Sequence, residues 1–222
     1  MRQIAKSQSI VLDGPAGKLE ALLEAPQNTD VTGCAVVCHP HPLHGGTMQN
    51  KVAHTLARSF TRQGFVALRF NFRGVGESAG EFDEGRGECD DVLAAVEWLT
   101  SQLQGLPLWI SGFSFGAAMA IHAAVKRTPA GLISIAPAVV RVSAPRSTQP
   151  DCPWLIVQGD QDELVDVDET ITWVNELDPG PEVQIFEATE HFFHGKLVLL
   201  REAVESFISK HSGLQRRPQG QE

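Results

Sequence analysis

The sequence predicts an α/β protein with a mostly parallel central sheet and helices on both faces. Short apolar runs alternate along the chain with segments whose apolar residues recur at helical spacing, which is typical of a parallel sheet covered on both sides. The 222 residues also suit one compact unit with a substantial core. We therefore expect a single domain over residues 1–211, followed by a polar tail at 212–222.

An antiparallel hairpin is expected to enter the sheet at its edge near the N-terminus. The apolar segments 10–12 and 19–23 flank the Gly- and Pro-containing segment 13–17, which is typical of a tight turn. After this hairpin, six apolar runs have the length of buried strands. They cover residues 34–38, 65–72, 108–111, 132–136, 154–158 and 183–186.

Helical spacing of apolar residues predicts helices between and after these strands. Val52, Leu56 and Phe60 form one apolar stripe that stops at Gly64, a glycine suited to a helix C-terminus. A second apolar stripe follows acidic residues, which are favourable at a helix N-terminus. Its apolar residues are Val92, Ala95, Val96 and Leu99, and the acidic residues before them are Glu88, Asp90 and Asp91. A further stripe predicts the last helix and comprises Leu197, Leu200, Val204, Phe207 and Ile208.

The composition is ordinary for a soluble protein and excludes several classes of function. Apolar residues make up 42% and charged residues 20%, and because no apolar run nears the ~18 residues of a membrane-spanning helix, we expect no membrane insertion. The net charge of −9 would repel a nucleic acid backbone, so no nucleic acid partner is expected. The N-terminus shows no secretory signal, and the four scattered cysteines suit reduced thiols, which together favour a cytoplasmic protein.

The segment 112–116, Gly-Phe-Ser-Phe-Gly, is the strongest functional signal in the chain. It lies between the predicted strand 108–111 and an alanine-rich helix that starts near Gly116 and runs to about Lys126. A nucleophilic serine at a tight strand-to-helix turn needs glycine on either side, because larger side chains would clash there. The alternative is a glycine-rich turn with an inert serine, so the other residues of the site must decide between them.

A serine hydroxyl is a weak nucleophile at neutral pH, so it needs a base, and the base needs an orienting group. Carboxylates follow the fifth apolar run, at the sheet edge where α/β proteins build their sites. We favour Asp162 over Asp160, because Asp160 follows the strand too closely to turn back and suits a turn. After the sixth run, His191 lies in a loop whereas His194 suits the start of the last helix, so we favour His191 as the base.

A family resemblance is carried by five segments in order, which together span nearly the whole chain: 38–46, 69–78, 112–116, 159–162 and 191–195. With these segments the chain resembles an α/β-hydrolase, in particular the small, lidless bacterial serine hydrolases of the dienelactone-hydrolase and carboxylesterase branch. The resemblance implies that Ser114 is the nucleophile, His191 the general base and Asp162 its orienting acid. Dienelactone hydrolases themselves use a cysteine at this turn, so the serine favours ordinary esters as substrates.

An ester hydrolase also needs hydrogen-bond donors for the negative oxygen of its tetrahedral intermediate. One donor is expected to be the backbone N–H of Phe115, the residue after the nucleophile. The second should come from the loop after the first apolar run, where many family members carry His-Gly and this chain has His39 followed by Pro40. Proline has no N–H, so the second oxyanion donor is His41 or Leu43, and we favour His41.

Two other functions are weaker interpretations of the histidine- and glycine-rich segments. His39, His41 and His44, with Cys38 beside them, could bind zinc, but their spacing matches no standard zinc site, and the histidines could instead shape the loop. The segment 73–76 lacks the third glycine and the following helix of a dinucleotide-binding motif. We therefore expect neither a metal nor any other cofactor.

The loop after the second apolar run is expected, by the resemblance, to line the site. Arg73 would anchor this loop to an acid such as Asp90 or Asp91. The same two carboxylates could instead serve the helix N-terminus, where negative charge is favourable.

The site is expected to be open, because no cap domain fits between the fourth and fifth apolar runs. Residues 137–150 number only 14 and are rich in proline, serine and arginine. An open site suits short acyl esters, and we expect the apolar side chains of Phe113, Phe192 and Phe193 to border the substrate pocket.

The first hypothesis is a serine carboxylesterase that cleaves a small-molecule ester through an acyl-enzyme. The same three side chains could serve a thioesterase, a lactonase or a peptidase, because they do not determine the acyl donor. A non-catalytic binding module with this fold is the alternative from another class. The sequence leaves the natural substrate and the oligomeric state open.

Overall fold

The computed structural model describes residues 7–27, 30–140 and 149–213. Its strands are β1 Ser7–Gly14, β2 Gly17–Glu24, β3 Gly33–Cys38, β4 Phe65–Phe70, β5 Leu108–Phe113, β6 Gly131–Ile135, β7 Trp154–Gly159 and β8 Glu182–Phe186. They form one sheet in the order β1-β2-β4-β3-β5-β6-β7-β8. The pairs β1–β2 and β2–β4 are antiparallel, and every other neighbouring pair is parallel.

The helices are α1 Lys51–Arg62, α2 Arg86–Gln102, α3 Phe115–Arg127, α4 Val167–Val174 and α5 Leu197–His211. Side chains close several helix N-termini. Asn50 accepts the N–H of Val52 at 2.8 Å at the start of α1, and Asp166 serves α4 in the same way. At α2 the fully buried carboxylate of Glu88 accepts the backbone N–H of Gly85 at 2.8 Å. These contacts satisfy N–H groups that have no acceptor within their own helix.

The sheet separates two apolar cores. Helices α1 and α5 cover one face, and α2, α3 and α4 cover the other. At the centre of the first core, the Trp109 ring lies 6.0–6.1 Å from the rings of Phe60, Phe65 and Phe207. Burial of these side chains removes apolar surface from water and holds the central strands as a rigid platform.

The structure confirms the predicted fold class. The hairpin, the six predicted strands and the predicted helices are all present, and the strand ends of the six runs lie within two residues of the predicted ends. Helix α1 ends just before Gly64, whose φ of 88° is the left-handed conformation expected after a helix C-terminus. One correction concerns β8, which was predicted as a buried strand but is half-buried because it forms the edge of the sheet.

The connection between β6 and β7 has no helix or strand in its described parts, residues 136–140 and 149–153. Residues 141–148 lie outside the described residues, as do 214–222 of the predicted polar tail. Over the described ranges, no helix has both the length and the apolar character needed to cross a bilayer.

Candidate active site

The loops that follow β3, β5, β7 and β8 meet at the carboxyl edge of the parallel strands. Strand β3 pairs with β4 on one side and with β5 on the other. The chain adds β4 on one side of β3 and then adds β5 and the later strands on the other side, so β3 is the point at which the strand order switches direction. The crevice outside such a switch point is where open α/β sheets bind ligands. Ser114 directly follows β5, Asp162 lies in the loop after β7, and His191 lies in the loop after β8.

Ser114 lies at the sharp turn between β5 and α3, in a backbone conformation that few residues adopt, with φ 56° and ψ −119°. Its N–H donates to the carbonyl oxygen of Ile135 at 2.8 Å. A Cβ at Gly112 would lie 2.2 Å from the carbonyl oxygen of Gly116, and a Cβ at Gly116 would lie 2.3 Å from that of His39. Both positions therefore require glycine, for the steric reason that the sequence pattern indicates.

His191 is hydrogen-bonded through both ring nitrogens. Its Nδ1 lies 2.7 Å from Oδ2 of Asp162, and its Nε2 lies 3.0 Å from Oγ of Ser114. Because an ionised carboxylate only accepts, Nδ1–H donates to Asp162 and Nε2 accepts from the Ser114 hydroxyl. The side chains of His191 and Asp162 are 2% and 0% exposed, so the hydrogen bond between them is shielded from water, while Ser114 is partly exposed.

The Asp162 carboxylate accepts hydrogen bonds at both oxygens. Oδ1 accepts the backbone N–H groups of Leu164 at 2.9 Å and Val165 at 2.7 Å, while Oδ2 accepts from His191 and, at 2.9 Å, from Nε2 of Gln158. Burial by itself would raise the pKa of Asp162, but the hydrogen bonds from His191 and from the two backbone groups outweigh burial and lower the pKa. The carboxylate therefore stays ionised at neutral pH and can orient the imidazole.

Asp160 and His194, the alternative acid and base considered from the sequence, make contacts outside the Ser114–His191–Asp162 group. Oδ1 of Asp160 accepts the N–H of Thr189 at 3.2 Å, which ties the loops after β7 and β8 together. The His194 side chain is 66% exposed and pairs with Glu190. His194 also does not start the last helix, as its sequence position suggested, because α5 begins at Leu197. Asp162 and His191, the two residues favoured from the sequence, are the ones brought to the serine.

The candidate oxyanion donors belong to the start of α3 and to the loop after β3. Phe115 is the first residue of α3, where a backbone N–H has no acceptor within the helix. In the loop after β3, the His41 ring packs against the Phe115 ring with centroids 5.0 Å apart. The N–H of Leu43 donates to Nδ1 of His41 at 3.2 Å, so it is engaged within its own turn. This contact counts against Leu43 as the second donor.

Comparison with known proteins establishes the family. The family model Hydrolase_4, described as serine aminopeptidase, S33, matches residues 36–149. The crystal structure of XC6422 from Xanthomonas campestris, described as an α/β serine hydrolase without lid, is 40% identical, covers 94% of this chain and 96% of that chain, and has a TM-score of 0.89. This chain belongs to the α/β-hydrolase superfamily.

Two further relatives match this α/β-hydrolase over most of their length. An α/β serine hydrolase homologue from Coxiella burnetii is 40% identical, covers 92% of this chain and 98% of that chain, and has a TM-score of 0.87. The uncharacterized protein RP471 of Rickettsia prowazekii is 34% identical over 209 residues, which are 90% of this chain and 87% of that protein. The likeness therefore extends well beyond the segment that the family model matches.

The three phenylalanines predicted to border the pocket of this hydrolase differ in position. Phe192 is 38% exposed, and its ring packs edge-on against the His191 ring with centroids 5.1 Å apart. Phe113 is fully buried beside the imidazole, with ring centroids 4.8 Å apart, so it contacts His191 from within the core and has no exposed surface to border a pocket. For Phe193 the prediction is wrong. Its side chain is fully buried 6.0 Å from the Phe186 ring, because the turn at Phe193, with φ 56°, directs it into the core.

His39 shapes the loop after β3. The N–H of Phe72 donates to its Nε2 at 3.0 Å, so Nδ1 carries the proton and donates to the carbonyl oxygen of Pro40 at 2.6 Å. Burial lowers the pKa of His39 to about 4, so the ring is neutral at pH 7. Across the part of the chain that the structure describes, no three His, Cys, Asp or Glu side chains are grouped to hold a metal ion.

Two buried polar side chains that the sequence did not single out tie the loop after β3 to β4. Arg69 donates to the carbonyl oxygen of Met48 and, at 2.8 Å, to the carboxylate of Glu24. Asn71 accepts the N–H of Met48 at 2.8 Å. Both side chains lie within the apolar run 65–72 and within the resemblance segment 69–78, but the sequence indicated no role of its own for either residue. Their signal was the presence of polar residues in an otherwise apolar run.

Arg73 pairs with Asp91, one of the two acids considered from the sequence. Its Nε and Nη2 donate to Oδ2 and Oδ1 of Asp91 at 3.0 and 2.7 Å, and its backbone N–H also donates to Oδ2 at 3.0 Å. Asp91 is fully buried, whereas the Asp90 side chain is exposed and lies 4.0 Å from Lys126. The bidentate buried pair fixes the loop after β4 near the site.

The four cysteines are free thiols, as predicted. Cys34, Cys38 and Cys89 are buried, and Cys152 is partly buried. Burial raises the pKa of Cys34 to about 11 and that of Cys152 to about 12. Both thiols are therefore protonated at neutral pH and are poor nucleophiles.

Proposed function

We propose that this protein is a serine hydrolase that cleaves short-chain carboxylic esters through an acyl-enzyme. The observation that carries the proposal is the hydrogen-bonded chain from Oγ of Ser114 through the His191 imidazole to the Asp162 carboxylate, with distances of 3.0 and 2.7 Å. An arrangement of this kind activates a serine hydroxyl for acyl transfer. Ser114 is then the nucleophile, His191 the general base and Asp162 the acid that orients it.

In the acylation step, Oγ of Ser114 attacks the ester carbonyl carbon while Nε2 of His191 takes the hydroxyl proton. The carbonyl oxygen becomes negative and accepts hydrogen bonds from the N–H groups of Phe115 and His41. The positive imidazole that forms is stabilised by the Asp162 carboxylate. When the tetrahedral intermediate collapses, the bond to the alkoxide breaks, the alkoxide takes the proton from His191, and the acyl group remains on Ser114.

In the deacylation step, water replaces the alcohol. Nε2 of His191 takes a proton from the water as its oxygen attacks the acyl carbon. The second tetrahedral intermediate then releases Ser114, whose Oγ recovers the proton from His191, and the carboxylic acid leaves. Each proton that His191 accepts is returned within the same half-reaction, so no cofactor is needed.

Short substrates are supported by the surroundings of the site. Leu43 is 67% exposed and Phe192 is 38% exposed, and both belong to loops that carry proposed site residues. These side chains offer an apolar surface to a short acyl or alcohol group, but a long chain lying across an open surface would remain largely in water. The relative XC6422 is described as lacking a lid, which agrees with the short segment 137–150 in this chain.

Hydrolysis of p-nitrophenyl acetate tests the proposal. Ser114→Ala is expected to lower kcat/KM by about 10⁴-fold, because it removes the nucleophile and leaves the other groups of the site in place. A fluorophosphonate probe should label the unaltered protein at Ser114 and leave the variant unlabelled. Ser101→Ala, on the exposed side of α2, is the matched control and should behave as the unaltered protein.

The contrary outcomes separate the alternatives. A Ser114→Ala variant that kept most of its turnover would show that another group is the nucleophile. A folded, unaltered protein with neither turnover nor probe adduct would favour a binding module with this fold. Matched esters, thioesters, lactones and aminoacyl amides, compared by kcat/KM, would identify the acyl donor; the amides test the peptidase chemistry named in the description of the family model.

We further propose that residues 1–211 form one domain and that the protein acts in the cytoplasm. The domain is supported by the single sheet and by α5, whose residues Leu200, Val204, Phe207 and Ile208 are buried in the core on one face of it. The cytoplasm is supported by four free thiols in a fold that carries no disulfide between them. A chain truncated after residue 211 should keep its activity if residues 1–211 form the domain. Fractionation of cells that produce the full chain should recover it in the cytoplasmic fraction.

A further inference from the structure

Gln158 is a polar residue in a strand whose other residues build the core. It is the fifth residue of β7 and is fully buried, and the four residues before it are the buried apolar side chains Trp154, Leu155, Ile156 and Val157. An apolar side chain would satisfy this environment, because burying an amide requires hydrogen-bond partners for all of its polar atoms.

The amide nitrogen of Gln158 has two acceptors. Nε2 donates to Oδ2 of Asp162 at 2.9 Å and to the carbonyl oxygen of Val165 at 3.1 Å. Because both partners are acceptors, the amide orientation is fixed with its nitrogen toward them. The other end, Oε1, is buried and has no hydrogen-bond partner within the described residues. The amide is thus kept in the core with one acceptor unsatisfied, which an apolar residue would avoid.

The oxygen that Gln158 contacts is the one that holds the imidazole. Oδ2 of Asp162 accepts from Nδ1 of His191 at 2.7 Å as well as from the Gln158 amide, whereas Oδ1 accepts from two backbone N–H groups. The backbone groups fix one carboxylate oxygen, and Gln158 donates to the other, which also accepts from the imidazole.

We propose that Gln158 is a positioning residue that holds Oδ2 of Asp162 against His191 and draws negative charge away from that oxygen. The inference rests on the proposed esterase function. The amide keeps the carboxylate from rotating, so the imidazole faces Ser114 in one orientation. It also weakens the attraction of Oδ2 for a positive imidazole, so that His191 releases its proton readily to the leaving alcohol.

Other charged groups near His191 remain the same when only Gln158 is changed. Glu163 lies on the loop after β7, and its carboxylate accepts the backbone N–H of His191 at 3.3 Å. Glu190 and His194 pair with each other on the loop after β8, and Asp160 bonds to the backbone of that loop. The ring neighbours of His191, Phe113 and Phe192, carry no charge. Asp166, at the start of α4, accepts backbone N–H groups of its own helix.

The test substitutes Gln158→Met, which keeps the length of the side chain and removes the donor. We expect kcat for p-nitrophenyl acetate to fall about tenfold with little change in KM, because orientation is lost and the binding surface is not touched. The acidic limb of the kcat/KM profile should move about 0.5 to 1 pH unit upward, because Oδ2 then holds the protonated imidazole more strongly.

Ser134→Ala is the matched control. Ser134 is fully buried on the neighbouring strand β6 and accepts a hydrogen bond from Nε1 of Trp154 at 3.0 Å. Its loss removes one buried hydrogen bond, but no donor to Asp162. Thermal unfolding of both variants measures the loss of stability, and only Gln158→Met should move the pH profile. If the Gln158→Met profile superimposes on that of the unaltered protein, or moves as that of Ser134→Ala does, Gln158 has no positioning role.

A measurement on the unaltered protein covers the case in which Gln158→Met does not fold. The Nδ1 proton of His191, shared with a carboxylate, should give a low-field proton resonance with a cross-relaxation peak to the side-chain amide protons of Gln158. Absence of that peak while the low-field resonance is present would overturn the inference. Ser114→Ala separates it from the proposed function: an active Ser114→Ala contradicts the function, whereas an inactive Ser114→Ala with an unshifted Gln158→Met profile contradicts the positioning role alone.

Discussion

His39 and His191 are two buried histidines with opposite properties. Both are no more than 2% exposed, and both ring nitrogens of each are hydrogen-bonded. The partners of His39 are backbone groups of Phe72 and Pro40. The partners of His191 are a carboxylate and a hydroxyl. Burial and residue type are the same in the two regions, so the difference must come from the partners.

The partners determine whether each ring can take up a proton. At His39, a proton on Nε2 would face the N–H of Phe72, which cannot become an acceptor, and no carboxylate contacts the ring in its described hydrogen bonds. At His191, Nε2 faces a hydroxyl that can give up its proton, and Nδ1 is bonded to an ionised carboxylate. A buried base therefore needs a partner that can reverse its role and a counter-charge on the opposite side of the ring.

The largest effect is expected for His191→Ala. Loss of the imidazole should lower kcat/KM for p-nitrophenyl acetate by about 10⁴-fold, because the Ser114 hydroxyl then has no base. Turnover is measured at several pH values, since at high pH hydroxide could partly replace the base. A loss of less than tenfold at pH 7 would show that a group other than His191 is the base.

The second-largest effect is expected for the pH dependence of folding stability, which His39 is expected to influence. Burial lowers its pKa from 6.5 to about 4, so the unfolded chain binds a proton more strongly than the folded protein. Stability is therefore retained above pH 6.5 and falls as the pH decreases from 6.5 through about 4, by about 3 kcal/mol for this group alone. Denaturant unfolding of His39→Asn should show a pH dependence that is weaker by about this amount over the same interval.

His44→Asn is the control for that measurement. His44 is exposed on the same loop, so the variant should keep the pH dependence of the unaltered protein. If His39→Asn and the unaltered protein lost the same free energy of unfolding between pH 6.5 and 4, the neutral, backbone-bound state of His39 would be refuted.

The smallest effect is expected for His194→Gln. His194 lies three residues from the proposed base but is 66% exposed and pairs with Glu190 at the surface. Exposed pairs of this kind contribute only about 0–1 kcal/mol to stability. The hydrogen bonds of the His191 ring go to Ser114 and Asp162, so kcat/KM should change less than twofold. A loss of tenfold or more would mean that His194 also takes part in the reaction, contrary to the assignment of the base to His191 alone.

The sequence predicted most of the fold because buried strands leave a plain pattern. The run 154–158 is apolar up to Gln158 and is bounded by turn residues, so β7 is found within one residue. Helix α4 was not predicted, because its eight residues make up only about two turns and give too little periodicity. The exposure of β8 was missed because a sequence does not show which strand lies at the edge.

Residues of the candidate site were predictable where the chemistry requires a residue type at a fixed place in a motif. Ser114, Asp162 and His191 follow strands at the same sheet edge, and the structure brings them within hydrogen-bond distance. Side-chain direction was not predictable in the same way: Phe192 and Phe193 are neighbours, yet only the first is exposed. Gln158 stood out in the sequence only as a polar residue at the end of an apolar run, and its contact with Asp162 was not predictable because it depends on how the loop after β7 turns back.

The contact between Gly116 and the carbonyl oxygen of His39 limits how this enzyme could be redesigned. Any larger residue at 116 would act as a wedge between α3 and the loop after β3. The turn that carries the proposed nucleophile and the loop after β3 must therefore be kept together in any redesign. New substrate preferences are better sought at Leu43 and Phe192, whose exposed side chains can be enlarged or trimmed without disturbing that contact.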